Sequence, residues 1–159
     1  NNNMEFFKGF ALSPSIAWGR RNIKTGREGI FSFYMDRKQP PKEMTYYTHG
    51  LPPFGADTPH GSELSYIFGT MDRINSGFSV YDYEMAEIIR SYWVNFAKNG
   101  DPNGERLPKW PKFEEVSEVT MHFGNEAVRA ENLVINDDIE RVISFCEKTP
   151  GMLCELKGF

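Results

Sequence analysis

Cysteine is nearly absent from this chain: only Cys146 and Cys154 occur among 159 residues. Two cysteines cannot build a disulfide framework. They form no C-x-x-C pair and no histidine cluster surrounds them, so their spacing excludes a zinc site. One bond between the two is open, and two separate thiols are the simpler expectation. Positive charge is not in excess either. Lys and Arg number 18 against 22 Asp and Glu, for a net charge of -4. With no basic stripe, nucleic acid is not an expected partner. No apolar run reaches the ~18 residues that span a bilayer, so no membrane segment is expected. Asn1 to Glu5 is polar and no apolar h-region follows, so no secretory leader is expected here, and the compartment is left open. Repeats, low-complexity tracts, cofactor motifs and metal motifs are also missing.

A nucleophile is missing too. The elbow motif of serine hydrolases is G-x-S-x-G on a sharp strand-to-helix turn. The nearest run, Gly77-Phe78-Ser79-Val80-Tyr81, lacks the second glycine, and the residues before it do not read as a buried strand. Ser79 reads instead as the N-terminal cap of the next helix.

What remains is a globular composition, 40% hydrophobic and 25% charged, with 13 Phe, 7 Tyr and 3 Trp. The length suits one domain of ordinary size, which would bury roughly 70% of its unfolded surface if it folded alone. Asn1 to Phe10 reads as a lead-in, and Pro14 to Lys24 as a helix that opens on its proline. Ile30 to Met35 is a short, nearly continuous apolar run. That pattern predicts a strand covered on both faces, as in a parallel sheet. Arg37 to Pro59 is a long loop rich in Pro, Gly and aromatic residues, a type that is usually functional or disordered. Glu63 to Phe68 predicts one or two helical turns.

Tyr81 to Lys98 is the clearest helix, with Met85, Ile88, Ile89, Tyr92, Trp93 and Phe96 at three- and four-residue spacing. Gly100 closes it. Val119, Met121 and Phe123 alternate with Thr120 and His122, and Gly124-Asn125 turns the chain into a hairpin with Ala127 to Ala130. His122 falls on the phase expected to face solvent. Asn136 caps a last helix whose Ile139, Val142, Ile143 and Cys146 share a face. The strand at 30–35 needs parallel neighbours that the sequence does not supply. It is therefore expected to pair outside the chain, with another copy or with the rest of a parent polypeptide.

The chemistry converges on His60-Gly61-Ser62-Glu63, where a histidine ends the loop and a short helix begins. An imidazole with a pKa near ~6.5 accepts and returns a proton near neutrality. A loop histidine beside a rigid element suits a general base, and packing without catalytic duty suits it about as well. His49 and His122 are weaker candidates. Glu63 could orient the ring, or simply stabilise the first turn of its helix.

These residues resemble the type-B carboxylesterases, the α/β-hydrolase family that includes cholinesterases and para-nitrobenzyl esterases. His60-Gly61-Ser62-Glu63 with Phe68-Gly69 is similar to the family's His-Gly-x-Glu…Phe-Gly signature. Tyr92 to Asn103 is similar to its helix-and-turn signature, and Trp110 to Phe113 to its Trp-Pro-x-Phe element. The resemblance runs from about Ala11 to Phe145.

The resemblance implies an α/β fold class: residues 1–159 as the C-terminal part of one α/β-hydrolase catalytic domain. Helices, one buried strand, a long His-bearing loop and a small hairpin would make it up. It implies His60 as the base of a Ser-acid-His triad, with nucleophile, acid and oxyanion loop upstream of Asn1, and Glu63 in a supporting polar network. It implies a small-molecule ester substrate; no cofactor or metal is expected, the missing elbow motif predicts a chain that is inert alone, and the unpaired strand at 30–35 predicts that it can self-associate. Some relatives with this fold are non-catalytic adhesion or binding modules, which is the alternative. Ser13 stands where cholinesterase-like members carry a cysteine, so the resemblance implies no disulfide there for Cys146.

Overall fold

The computed structural model describes residues 2–38, 40, 58, 61–74, 77–114, 116–133 and 135–149, with the backbone alone for 2–11. In chain order the elements are α1 (Asn2–Lys24), β1 (Ser32–Met35), α2 (Glu63–Ile67), α3 (Met71–Ile74), α4 (Val80–Asn99), β2 (Val119–Phe123), β3 (Val128–Asn132) and α5 (Asp137–Lys148). The predicted first helix, strand, short helix, long helix, hairpin and last helix are therefore observed in that order, with α3 added, while the loop predicted at 37–59 lies almost wholly outside the described residues. The chain divides into two compact units. One comprises residues 1–34, 111–121 and 130–159, and the other 35–110 and 122–129.

In the first unit α1 packs on α5. Ile16, Ala17, Phe113 and Ile143 form the buried centre, and Leu12, Ile23, Ile139 and Cys146 pack around it. Positions 12, 16 and 23 of α1 and 139, 143 and 146 of α5 follow helical spacing, so each helix turns one stripe inward. Fully burying Ile16 or Ile143 contributes about 1.5–3 kcal/mol apiece. Two corrections arise here. Residues 2–10 belong to α1, and Pro14 lies inside that helix rather than at its start. The helix continues through the proline at the cost of the one backbone bond its missing N–H cannot make. At the rim, Arg20 donates to Glu118 and Glu140 together, its Nη1 lying 2.6 Å from Glu140 Oε1. Those two carboxylates push the Arg20 guanidinium pKa still higher.

In the second unit α2 packs on α4. Met85, Ala86, Ile89 and Tyr92 are buried along one side of α4, while Phe96 is exposed. Both predicted ends of this helix hold. The Ser79 side chain accepts from the Asp82 N–H, and the Asp82 side chain accepts from the Ser79 N–H in return. Gly100 adopts the left-handed conformation, φ 70°, that closes the last turn. Beyond it, Asn103 Oδ1 accepts from Trp110 N at 2.8 Å and Asn103 Nδ2 donates to Trp110 O at 2.9 Å. This clasp delivers the Trp110 ring edge-on to Tyr92, with centroids 5.0 Å apart. Burial pushes the Tyr92 phenol up to about 12.

The three strands form one sheet in the order β1-β2-β3. Thr120 Oγ1 donates to Ser32 Oγ and Asp36 N donates to Phe123 O, so the register advances the same way along β1 and β2, which run parallel. β2 and β3 are the two arms of the predicted hairpin, closed by Gly124 N donating to Ala127 O at 3.2 Å. The strand expectation is corrected in two respects. The parallel neighbour of β1 lies in this chain, and it is β2. The deeply buried strand is also β2, whose Thr120, Met121, His122 and Phe123 are all buried, whereas every residue of β1 is only half-buried. The alternation at 119–123 resembled a strand with one wet face. A central strand covered on both faces hides its polar phase as well, provided those groups find partners.

Candidate active site

His60 itself, with Pro59, Asp57 and His49, lies outside the described residues. What is described is the frame on either side of it. Gly61 has φ +78°, a left-handed conformation that a side chain would strain, and it turns the chain into α2. Ser65 Oγ then donates to Ser62 O at 3.0 Å within the first turn. The Glu63 side chain, half-buried at the start of α2, makes no hydrogen bond or ion pair with another described residue.

Tyr66 fixes α2. Its ring is fully buried and meets Phe78 edge-on, 5.9 Å between centroids. Its hydroxyl donates to Asp82 Oδ1 at 2.8 Å. Asp82 closes the capping box of α4, so its carboxylate is already held by the backbone N–H and the hydroxyl of Ser79, at 2.7 and 2.6 Å. Arg37 completes the node. Nε donates to Asp82 Oδ1 at 2.7 Å and Nη2 to Oδ2 at 2.9 Å, the two-pronged geometry that only a guanidinium offers. The guanidinium also lies 5.0 Å from the centre of the Tyr81 ring.

The electrostatics follow from this packing. The Asp82 side chain is 2% exposed. Burial alone would raise its pKa, but hydrogen bonds from Arg37 and Ser79 outweigh burial and hold the carboxyl far below the usual carboxylate range. Burial, followed by the bond to Asp82, pushes the Tyr66 phenol well above its ordinary value. At neutral pH the node is therefore an ionised carboxylate facing a guanidinium and a neutral phenol.

The same arginine reaches the other side of His60. Its carbonyl oxygen accepts from Thr58 Oγ1 at 2.9 Å. Asn125, in the hairpin turn, secures the segment around Arg37: Oδ1 accepts from Lys38 N at 2.9 Å, and Nδ2 donates to Asp36 O at 3.0 Å. His122 Nε2 and Asp36 Oδ1 lie 2.6 Å apart. The expectation that His122 is solvated on an open strand face is thus corrected. The ring is buried, and a carboxylate near the end of β1 accounts for its polarity.

Ser79 is legible in the sequence as a cap, but its link through Asp82 to Arg37 and Tyr66 is not. The S-x-x-D spacing at 79–82 signalled the cap. Nothing local signalled a partner 45 residues earlier. Among the described residues, no three His, Cys, Asp or Glu side chains converge as a metal site, and no helix is long and apolar enough to cross a membrane.

Mixed helices and a small sheet of this kind form part of an α/β-hydrolase. A solved structure of a thermophilic PNB esterase aligns with a TM-score of 0.50 and 22% identity, covering 70% of this chain and 21% of that one, which speaks to the fold alone. Residues 10–141 match the model of the carboxylesterase family, and the chain belongs to that family. Carboxylesterase 1C of Rattus norvegicus is 36% identical over 74 residues, covering 46% of this chain and 13% of that protein. Neuroligin-2 of Homo sapiens is 37% identical over 112 residues, covering 65% of this chain and again 13% of its relative. The chain thus spans about an eighth of the length of these relatives.

Proposed function

We propose that residues 1–159 are the C-terminal part of a serine carboxylesterase catalytic domain and that His60 is its general base. The observation that carries this reading is the run His60-Gly61-Ser62-Glu63, which lies inside the segment that matches the carboxylesterase family. A serine on the remainder of the polypeptide attacks the ester carbonyl, and His60 takes its proton and returns it to the leaving alcohol. Water then enters, with His60 as base again, and releases the acid from the acyl-enzyme. An upstream carboxylate holds the imidazole tautomer, and backbone donors outside this chain stabilise the oxyanion, each worth ~2.7–4 kcal/mol. Glu63 belongs to the polar network supporting the base. The substrate is a small carboxylic ester.

On this reading the 159-residue chain releases no p-nitrophenol from a p-nitrophenyl ester above the buffer rate, because it lacks the nucleophile. Turnover by the isolated chain that is abolished by a serine-directed phosphonate would overturn the division of labour. A second reading, a non-catalytic adhesion or binding module, is compatible with the neuroligin-2 match. It predicts a full-length polypeptide without G-x-S-x-G and without ester turnover.

A further inference from the structure

We propose that Arg37 and Asp82 are a positioning pair for the segment that carries His60. This rests on the reading of His60 as the base. A capping box needs only Ser79 and Asp82, and helix α4 already has both. Arg37 adds a second function, because it joins the cap to the chain on both sides of His60. Downstream, the Asp82 carboxylate that accepts from Arg37 also accepts from Tyr66, which anchors α2. Upstream, the carbonyl of the same arginine accepts from Thr58, two residues before the histidine.

Arg37 thus ties the described residues on both sides of His60, Thr58 through its backbone carbonyl and α2 through the Asp82 carboxylate. Asn125 and the His122–Asp36 contact steady the backbone next to it. The fork matters as well as the charge. Nε and Nη2 each take a different carboxylate oxygen, so the arginine cannot rotate without breaking a bond. A lysine would keep the charge and lose that constraint.

The test uses Thr58→Val and Arg37→Lys, which remove one bond and one prong respectively while sparing the core. In the full-length polypeptide each lowers kcat for a p-nitrophenyl ester roughly 10- to 100-fold with KM unchanged, as expected for a misplaced catalytic group. Gly19→Ala, a destabilising change in the other unit, leaves kcat unaltered and separates positioning from general loss of stability. Histidine-ring NMR of the 159-residue chain reads the same effect without turnover. Both variants move the His60 Cε1–H resonance and leave the Trp110 indole signal in place. Unchanged kcat and an unmoved His60 resonance in both variants overturn the proposal. A moved resonance alongside full turnover in His60→Ala keeps the positioning pair and removes the base assignment.

Discussion

Replacing Arg37 by Met leaves the Asp82 carboxylate buried with only neutral donors. Its side chain is 2% exposed, so water cannot substitute for the lost guanidinium. Tyr66 and Ser79 still donate, but the one positive charge in contact with Asp82 among the described residues is gone. Breaking a buried pair by removing one partner costs about 3–5 kcal/mol. With a urea slope of ~2 kcal/mol per molar, the unfolding midpoint falls by about 1.5–2.5 M.

The pH dependence gives this prediction its specificity. In the parent chain the folded Asp82 carboxyl lies below its unfolded value of ~3.9. The stability it contributes is therefore complete above that value and is lost as pH falls through the folded pKa. In the Met variant, burial still raises the pKa while the largest opposing influence, Arg37, is absent. The folded carboxyl then protonates at higher pH, and acid relieves part of the penalty. The stability difference between parent and variant consequently shrinks between pH 7 and pH 4. Tryptophan fluorescence in urea follows it, because Trp93 and Trp110 sit in the same unit as the pair. A difference below ~1 kcal/mol at pH 7, or one that does not change on acidification, refutes the reasoning.

Two further outcomes test the packing. Gly19→Ala places a Cβ 2.8 Å from Phe113 Cε1, so the ring or helix α1 must move, and overpacking of this kind costs about 1–3 kcal/mol in thermal or urea unfolding. Tyr92 ionises only near pH 12 in an ultraviolet titration, and because its folded pKa exceeds the unfolded value of ~10, stability declines as pH rises from 10 towards 12. Ordinary titration near 10, with Tyr92→Phe removing that step, would contradict the buried phenol.

The features legible in the sequence were those written within a few residues. Ser79, Gly100 and Asn136 mark helix ends by local chemistry, and each behaves as expected. Gly124-Asn125 between alternating residues gave the hairpin for the same reason. Pro14 misled, because a proline favours a first turn but does not forbid an interior position. His122 misled, because alternation describes a strand's two faces without saying whether both are covered. The Arg37–Asp82 pair and the His122–Asp36 contact join residues 45 and 86 positions apart, and only the fold brings them together. The His60 signature was visible at once, whereas the node flanking it was not.

Initial-rate ester hydrolysis by the full-length polypeptide with His60→Ala tests the role of this imidazole most directly. A triad that loses a member retains only the catalysis of its oxyanion hole and binding site, so kcat should drop by about 10⁴-fold or more with the fold intact by circular dichroism. Turnover within tenfold of the parent contradicts the account.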